Sequence, residues 1–354
     1  MFDYSKSTLA LLALSYAEGT AEQKKDILNK ISPEDIFDLK FRDIFNNDLT
    51  ESIKNTVKGI SYILSELNSA NVRLLSIYDE EYPNSLKNID NPPNLLYLRG
   101  NADLLATKMI AVVGTRRPTR YGVKVTEDFT KAFAQNSLTV VSGFARGLDS
   151  VSHRVCVSLS KPTVAVFACG LDVCYPAENK SLYLEILNSG GLLVSEYKIG
   201  VKPLQFHFPE RNRIITGLSG GVFLAEASLK SGSLISARLA VEQGKELFVV
   251  PGNINSEASE GTNALIKEMQ GAVVTSPDDV LERMGISAAE TQKDTVQLSV
   301  TAQLVVNALY EGELHFEEIL EAVKVSASEL SAVMTELEIM GVVQKLNGNY
   351  YALA

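Results

Sequence analysis

The chain has 354 residues, 45% hydrophobic and 21% charged, which suits two or three folded domains and excludes a disordered or collagen-like chain. No apolar run approaches membrane-spanning length. Its formal net charge of −10 is uneven: residues 1–70 hold 8 Lys/Arg against 11 Asp/Glu, residues 71–297 hold 23 against 24, and residues 298–354 hold 2 against 8. The nearly neutral middle can therefore still carry a basic groove.

At the front, Thr8–Ala17, Ala21–Lys30, Pro33–Phe37 (capped by Ser32) and Ser52–Ala70 carry apolar residues at helical spacing. They predict a small helical domain over residues 1–70, whose acidic balance suits a scaffolding or interface role. Leu9–Ala17 follows Asp3 and Lys6, which cancel, so the basic start of a secretory signal is missing. Cys156, Cys169 and Cys174 form no C-x-x-C pair and the three histidines are scattered. No disulfide framework and no metal site is expected, and a reducing cytoplasm fits.

From Val72 the pattern changes. Arg73–Ile77 and Asn94–Leu98 read as short strands around a Pro-containing connection. Apolar β-rich runs then recur at Met109–Val113, Leu138–Val141, Thr163–Ala168, Leu192–Val194, Val222–Ala225, Glu246–Val250 and Ala272–Val274. Helical stretches separate most of them: Tyr121–Gln135, Leu148–Leu159, Arg211–Leu218, Leu234–Glu242 and Asn263–Met269. This alternation predicts an α/β, extended Rossmann-like core over residues 71–285, built on a parallel sheet covered on both faces. Such sheets bind ligands at the C-terminal ends of their strands.

Asp279–Leu298 is polar and aperiodic, and residues 286–297 are read as a linker. Three helices follow, Ala302–Tyr310, Phe316–Val323 and Ala327–Met340, then strands Val342–Leu346 and Tyr350–Ala352 around the hairpin turn signal Asn347-Gly348-Asn349. They predict a winged-helix domain over residues 298–354. Its presumed recognition helix holds Glu329, Glu336 and Glu338 and no cation, which argues against reading duplex DNA.

The chemistry gathers in loops that follow strands. Gly114-Thr115-Arg116-Arg117 places a glycine, a hydroxyl and arginines where a Rossmann fold presents backbone N–H groups to phosphate. The G-x-G-x-x-G pattern is absent, and the second strand ends at Ser142 without a carboxylate, both of which count against NAD. No cofactor is expected. The second loop, Ser142-Gly143-Phe144-Ala145-Arg146-Gly147, opens a helix bearing Asp149 and His153 four apart. An N-terminal cap plus a hydrogen-bonded histidine explains those two better than a catalytic pair does, since no nucleophile accompanies them.

Phe206-His207-Phe208-Pro209-Glu210-Arg211-Asn212-Arg213 mixes aromatic surface with phosphate donors, as single-strand binding requires; Phe206 fits a core position equally well. Lys230-Ser231-Gly232-Ser233 opens another helix after a buried strand, without the spacing of a Walker A motif. Val250-Pro251-Gly252-Asn253 reads as a structural turn. Several phosphate-friendly loops on one sheet edge suit a ligand with many phosphates rather than a single nucleotide.

At these loops the sequence resembles the DprA/Smf family of DNA-processing proteins. The matching stretches are Val113–Arg116, Ser142–Asp149, Gly170–Pro176, Phe206–Ile214, Ser231–Leu234 and Val250–Gly252, in order across Leu96 to Ala272. The resemblance implies a SAM-like front, a homodimer that binds single-stranded DNA and loads RecA in natural transformation, and no catalytic residue. It implies contacts from Gly114, Thr115, Arg116, Ser142, Gly143, Phe144, Ala145, Arg146, Gly147, Phe208, Arg211, Arg213, Lys230, Ser231, Gly232 and Ser233. Gln205 and Ala177 stand where relatives carry lysine, which weakens the electrostatic part of binding. A competing reading is a nucleotide phosphoribohydrolase, which Gly220-Gly221 and Glu226 echo, although the phosphate loop of those enzymes is absent.

Overall fold

The computed structural model describes residues 4–40, 47–286, 298–346 and 348–353. Residues 287–297 of the expected linker, and Asn347 of the expected hairpin turn, lie outside them.

Five helices open the chain: α1 (Lys6–Tyr16), α2 (Ala21–Lys30), α3 (Pro33–Phe37), α4 (Asn47–Lys58) and α5 (Ile60–Ser69). Ser5 and Ser32 cap α1 and α3 through their side chains, and Thr20 with Gln23 forms a capping box on α2. The single helix expected over Ser52–Ala70 is two. It breaks at Gly59, a residue type that disfavours helical backbone.

The central region holds β1 (Arg73–Ser76), α6 (Asn84–Lys87), β2 (Leu95–Gly100), β3 (Met109–Val113), α7 (Arg120–Gln135), β4 (Thr139–Ser142), α8 (Leu148–Ser158), β5 (Thr163–Phe167), α9 (Lys180–Asn188) and β6 (Leu192–Ser195). Then come α10 (His207–Leu218), β7 (Gly221–Leu224), α11 (Ser233–Glu242), β8 (Glu246–Val249), α12 (Glu260–Lys267), β9 (Ala272–Val273) and α13 (Pro277–Arg283). Among the described residues they form a nine-stranded sheet in the order β1-β2-β6-β5-β4-β3-β7-β8-β9. From β6 to β9 every pair is parallel. The exceptions are the edge strand β1, antiparallel to β2, and β2, antiparallel to β6. The β1–β2 connection holds only the four-residue α6, so the chain makes a reversal there and not a helical crossover.

Chain order reverses between β3 and β7. Strands β4, β5 and β6 continue to one side of β3, while β7, β8 and β9 continue to the other. A crevice at the carboxyl ends of β3 and β7 follows from that reversal.

The expected helical front shares its core with the sheet. One cluster joins Leu11, Leu12, Ile27 and Ile53 to Leu74, Tyr97, Phe144, Phe167 and Leu193. Two further clusters fill the remaining faces, one around Val113, Val164 and Ile214, the other around Phe129, Phe133 and Phe223. The polar stretch that opens at Asp279 begins inside α13, where Ser276 and Asp279 form a capping box ahead of buried Val280 and Leu281.

The tail is a separate compact unit. It holds α14 (Val300–Ala308), β10 (Leu314–His315), α15 (Phe316–Val323), α16 (Ala327–Ile339), β11 (Val343–Lys345) and β12 (Tyr350–Leu353). Val305, Ile319, Leu330, Leu337 and Tyr351 build its core beside a β10-β12-β11 sheet. This is the winged helix expected from the sequence.

Candidate nucleic-acid interface

Three strand-end loops are tied together by backbone bonds. Thr115 N–H donates to the Glu226 carbonyl at 2.9 Å, and Leu148 N–H donates to the Thr115 carbonyl at 3.2 Å. Gly147 makes this approach possible. Its φ is +78°, and a Cβ there would stand 2.2 Å from the Thr115 carbonyl oxygen. The loops after β3, β4 and β7 thus form one rigid edge.

Beneath that edge buried Glu226, Asp149 and Arg211 find partners, while His153 Nε2 has no hydrogen-bond partner among the described residues. The Glu226 carboxylate accepts from Thr119 N–H at 2.8 Å and from its hydroxyl at 2.7 Å, at the N-terminus of α7. That carboxylate is 1% exposed. It fixes a loop, and the phosphoribohydrolase echo has no free acid here. Asp149 accepts from Gly143 N–H at 3.1 Å and Ala145 N–H at 3.3 Å. Arg211, 3% exposed, donates from Nη1 to the Gly143 and Val166 carbonyls. Burial raises the Asp149 pKa, against the pull of Arg211, and lowers that of Arg211 to about 10.

No hydrogen bond joins Asp149 to His153 among the described residues. His153 Nδ1 bonds Thr163 Oγ1 at 2.9 Å instead. Burial, with Arg211 nearby, pushes its pKa down to about 3. The histidine is hydrogen-bonded as expected, but Asp149 is not the expected cap: the N-cap of α8 is Gly147, and Asp149 in the first turn ties down the preceding loop.

Above lies a groove of about 1090 Å³. Of the sequence-selected residues, Gly114, Thr115, Arg116, Ala145, Phe208, Arg211, Lys230, Ser231, Gly232 and Ser233 line it. Gly143, Ala145 and Arg146 line a small adjoining recess. Arg116 and Lys230 are exposed, and Phe208 is half-buried. The Arg116 guanidinium carbon lies 5.3 Å from the centre of the Phe208 ring, and Tyr175 meets the same ring at 5.7 Å. The N-terminus of the ten-residue α11, with Ser231 and Ser233 hydroxyls 2.7 Å apart, opens on the groove. Cations, helix N–H groups and an aromatic face together can hold a phosphodiester and an unpaired base.

Four selected residues stand apart from these linings. Ser142 is fully buried and donates to the Val112 carbonyl at 2.7 Å. Phe144 is 1% exposed and stacks on Phe167 at 4.7 Å, so its ring serves the core. Gly147 supports the Thr115–Arg116 backbone from behind. Arg213 pairs with Glu196 at 2.6 Å. Arg146, in the recess, pairs with Glu178 through Nη2 at 2.6 Å. The structure adds Tyr175, Asn212, Ser256 and Glu257 to the groove. Tyr175 and Asn212 belong to the stretches Gly170–Pro176 and Phe206–Ile214 singled out in the sequence, whereas Ser256 and Glu257 lie outside every such stretch. No group of His, Cys, Asp or Glu among the described residues could hold a metal ion, and no described helix is long and apolar enough to cross a membrane.

Residues 73–285 match the family model of DNA recombination-mediator protein A, and residues 291–349 match the DprA winged helix domain. The chain belongs to the DprA/Smf family. It is 40% identical over 228 residues to protein Smf of Escherichia coli K12, covering 64% of this chain and 60% of that one. It is 44% identical over 207 residues to DNA processing protein DprA of Streptococcus pneumoniae R6, covering 58% and 72%. The match thus spans under two thirds of the Escherichia coli relative.

Among solved structures, DNA processing protein A from Streptococcus pneumoniae superposes with a TM-score of 0.64 at 34% identity, covering 79% of this chain and 98% of that one. DNA processing protein A from Helicobacter pylori, described for its single-stranded DNA binding mode, superposes at 0.55 with 35% identity, covering 60% and 95%. Family membership accounts for the order of the strand-end motifs and for the winged tail.

Proposed function

We propose that this protein binds single-stranded DNA in the groove at the carboxyl edge of its sheet, without catalysing a reaction, and hands the strand to RecA during recombination or transformation. The carrying observation is the junction of Arg116, Phe208 and the α11 N-terminus in one groove. It pairs phosphate donors with a stacking ring, and the buried acids Asp149 and Glu226 beneath it are occupied in loop bonds, while Glu257 is exposed in its lining. The single-strand binding described for the Helicobacter pylori relative supports the same reading. A cytoplasmic homodimer is the form in which we expect it to act.

Titrating labelled oligo-dT, duplex DNA and RNA at several salt concentrations tests this. Oligo-dT should bind tightest, with a log–log salt slope of about −0.7 per phosphate contacted. A flat salt response, or release of free base from nucleoside monophosphates, contradicts it.

A further inference from the structure

Among the exposed cations that line the groove and its recess, Arg116, Arg117 and Lys230 make no ion pair with a described residue. Arg146 is the exception. It shares the recess with Arg116, Tyr175 and Phe208, and its fork is closed on Glu178, Nε donating to Oε1 at 2.5 Å and Nη2 to Oε2 at 2.6 Å. The two side chains are 54% and 53% exposed, so the pair adds little to the stability of the fold and can open without disturbing the core.

The carboxylate is nevertheless held in place by its backbone. Glu178 stands in the short turn Ala177–Asn179 ahead of α9. The neighbouring Asn179, 2% exposed, donates from Nδ2 to the Phe144 carbonyl at 3.1 Å and to Ser150 Oγ at 2.8 Å. Phe144 and Ser150 flank Arg146 in the chain, so these buried bonds fasten the turn to the segment that carries the arginine. A guanidinium takes a carboxylate or a phosphodiester through the same two parallel N–H donors. Through its Nε and Nη2 edge, Arg146 cannot hold both at once.

From this geometry we propose that Glu178 is a built-in stand-in for a DNA phosphate: it holds the Arg146 fork while the groove is empty and yields it to the phosphodiester of a bound strand. Binding then exchanges one two-point pair for another, and release is helped because Glu178 is on hand to take the fork back. This rests on the groove reading and deepens it, since it makes Glu178 a residue that sets how long a strand stays bound.

The test uses the full chain and labelled oligo-dT of about 16 nucleotides, within the range of single-strand site sizes, with association and dissociation rates read by stopped flow. Glu178→Gln keeps the shape of the side chain and removes its charge. It should tighten binding about two- to fivefold, the strength of an exposed ion pair. The gain should lie in slower dissociation, because Arg146 then stays on the phosphate. In the Arg146→Ala background the same substitution should leave the dissociation rate unchanged. A gain carried by faster association, as a general loss of negative charge would give, overturns the exchange. So does an unchanged affinity, or an equal slowing of dissociation in the Arg146→Ala background, and in each of these cases the groove still stands. If the unaltered protein does not bind oligo-dT, the groove reading falls, and the exchange with it.

Discussion

The Arg116 guanidinium stands over the Phe208 ring, 5.3 Å from its centre, so a cation from the end of β3 and an aromatic face from the first turn of α10 share one spot. Arg116 is exposed and makes no ion pair among the described residues. Arg116→Ala should therefore cost binding without costing stability. Removing a charge-assisted contact of about 1.5–3 kcal/mol should weaken oligo-dT binding about ten- to a hundredfold, read by fluorescence anisotropy. The melting temperature should stay put.

Phe208 is half-buried, between Arg116 and Tyr175. Phe208→Ala should remove about 1–3 kcal/mol of binding, and Phe208→Tyr should restore most of it. Calorimetry on both variants checks this. A collapse of thermal stability in the alanine variant would assign the ring to the core.

Arg211 behaves differently, although it lies in the same helix. Its side chain is buried against the Gly143 and Val166 carbonyls and faces Asp149. Arg211→Met should destabilise the fold by about 3–5 kcal/mol, the usual result of stranding a buried partner charge. Urea unfolding measures it. An unchanged midpoint with lost DNA binding would make Arg211 a ligand contact instead.

His153 makes folding sensitive to acid. Its pKa in the folded chain is about 3, against an ordinary 6.5, so the unfolded chain takes up the proton first. The stability this contributes is full above pH 6.5 and drains away as pH falls toward 3. His153→Gln should flatten the pH profile of the urea midpoint across that window. An unchanged slope would place the acid sensitivity elsewhere.

The winged tail has the shape of a DNA reader but the wrong charge. Its α16 carries Glu329, Glu336 and Glu338 and no Lys or Arg, and a face that displaces counterions from DNA must be cationic. A chain ending at Gln297 should bind oligo-dT within about tenfold of the full chain, or about 1.4 kcal/mol. Duplex binding by residues 298–354 alone at physiological salt would refute the charge argument.

Much of this architecture was legible in the sequence because buried strands announce themselves. Met109–Val113 is apolar throughout and the runs after it nearly so. The groove followed from where those runs end. What stayed hidden depends on contacts between distant segments. Nothing local separates Arg211, sunk beneath Val166, from Arg116, which is free above it. Phe206 and Phe208 differ by two positions, yet the first is 60% exposed outside the groove and the second lines it. The antiparallel β1–β2 edge and the shared core of the helical front likewise depend on pairing and packing partners far along the chain.

The backbone bonds that lock Thr115 to Glu226 and Leu148 also limit how a strand can arrive. The three fastened loops give the groove a fixed floor, and its lining includes exposed Arg116, Gln205, Lys230 and Gly232. A strand bound there as proposed would then be laid onto those exposed residues from the side, with no need to feed an end through. A covalently closed single-stranded circle has the same access as a linear fragment, and so does a gap between two duplex stretches.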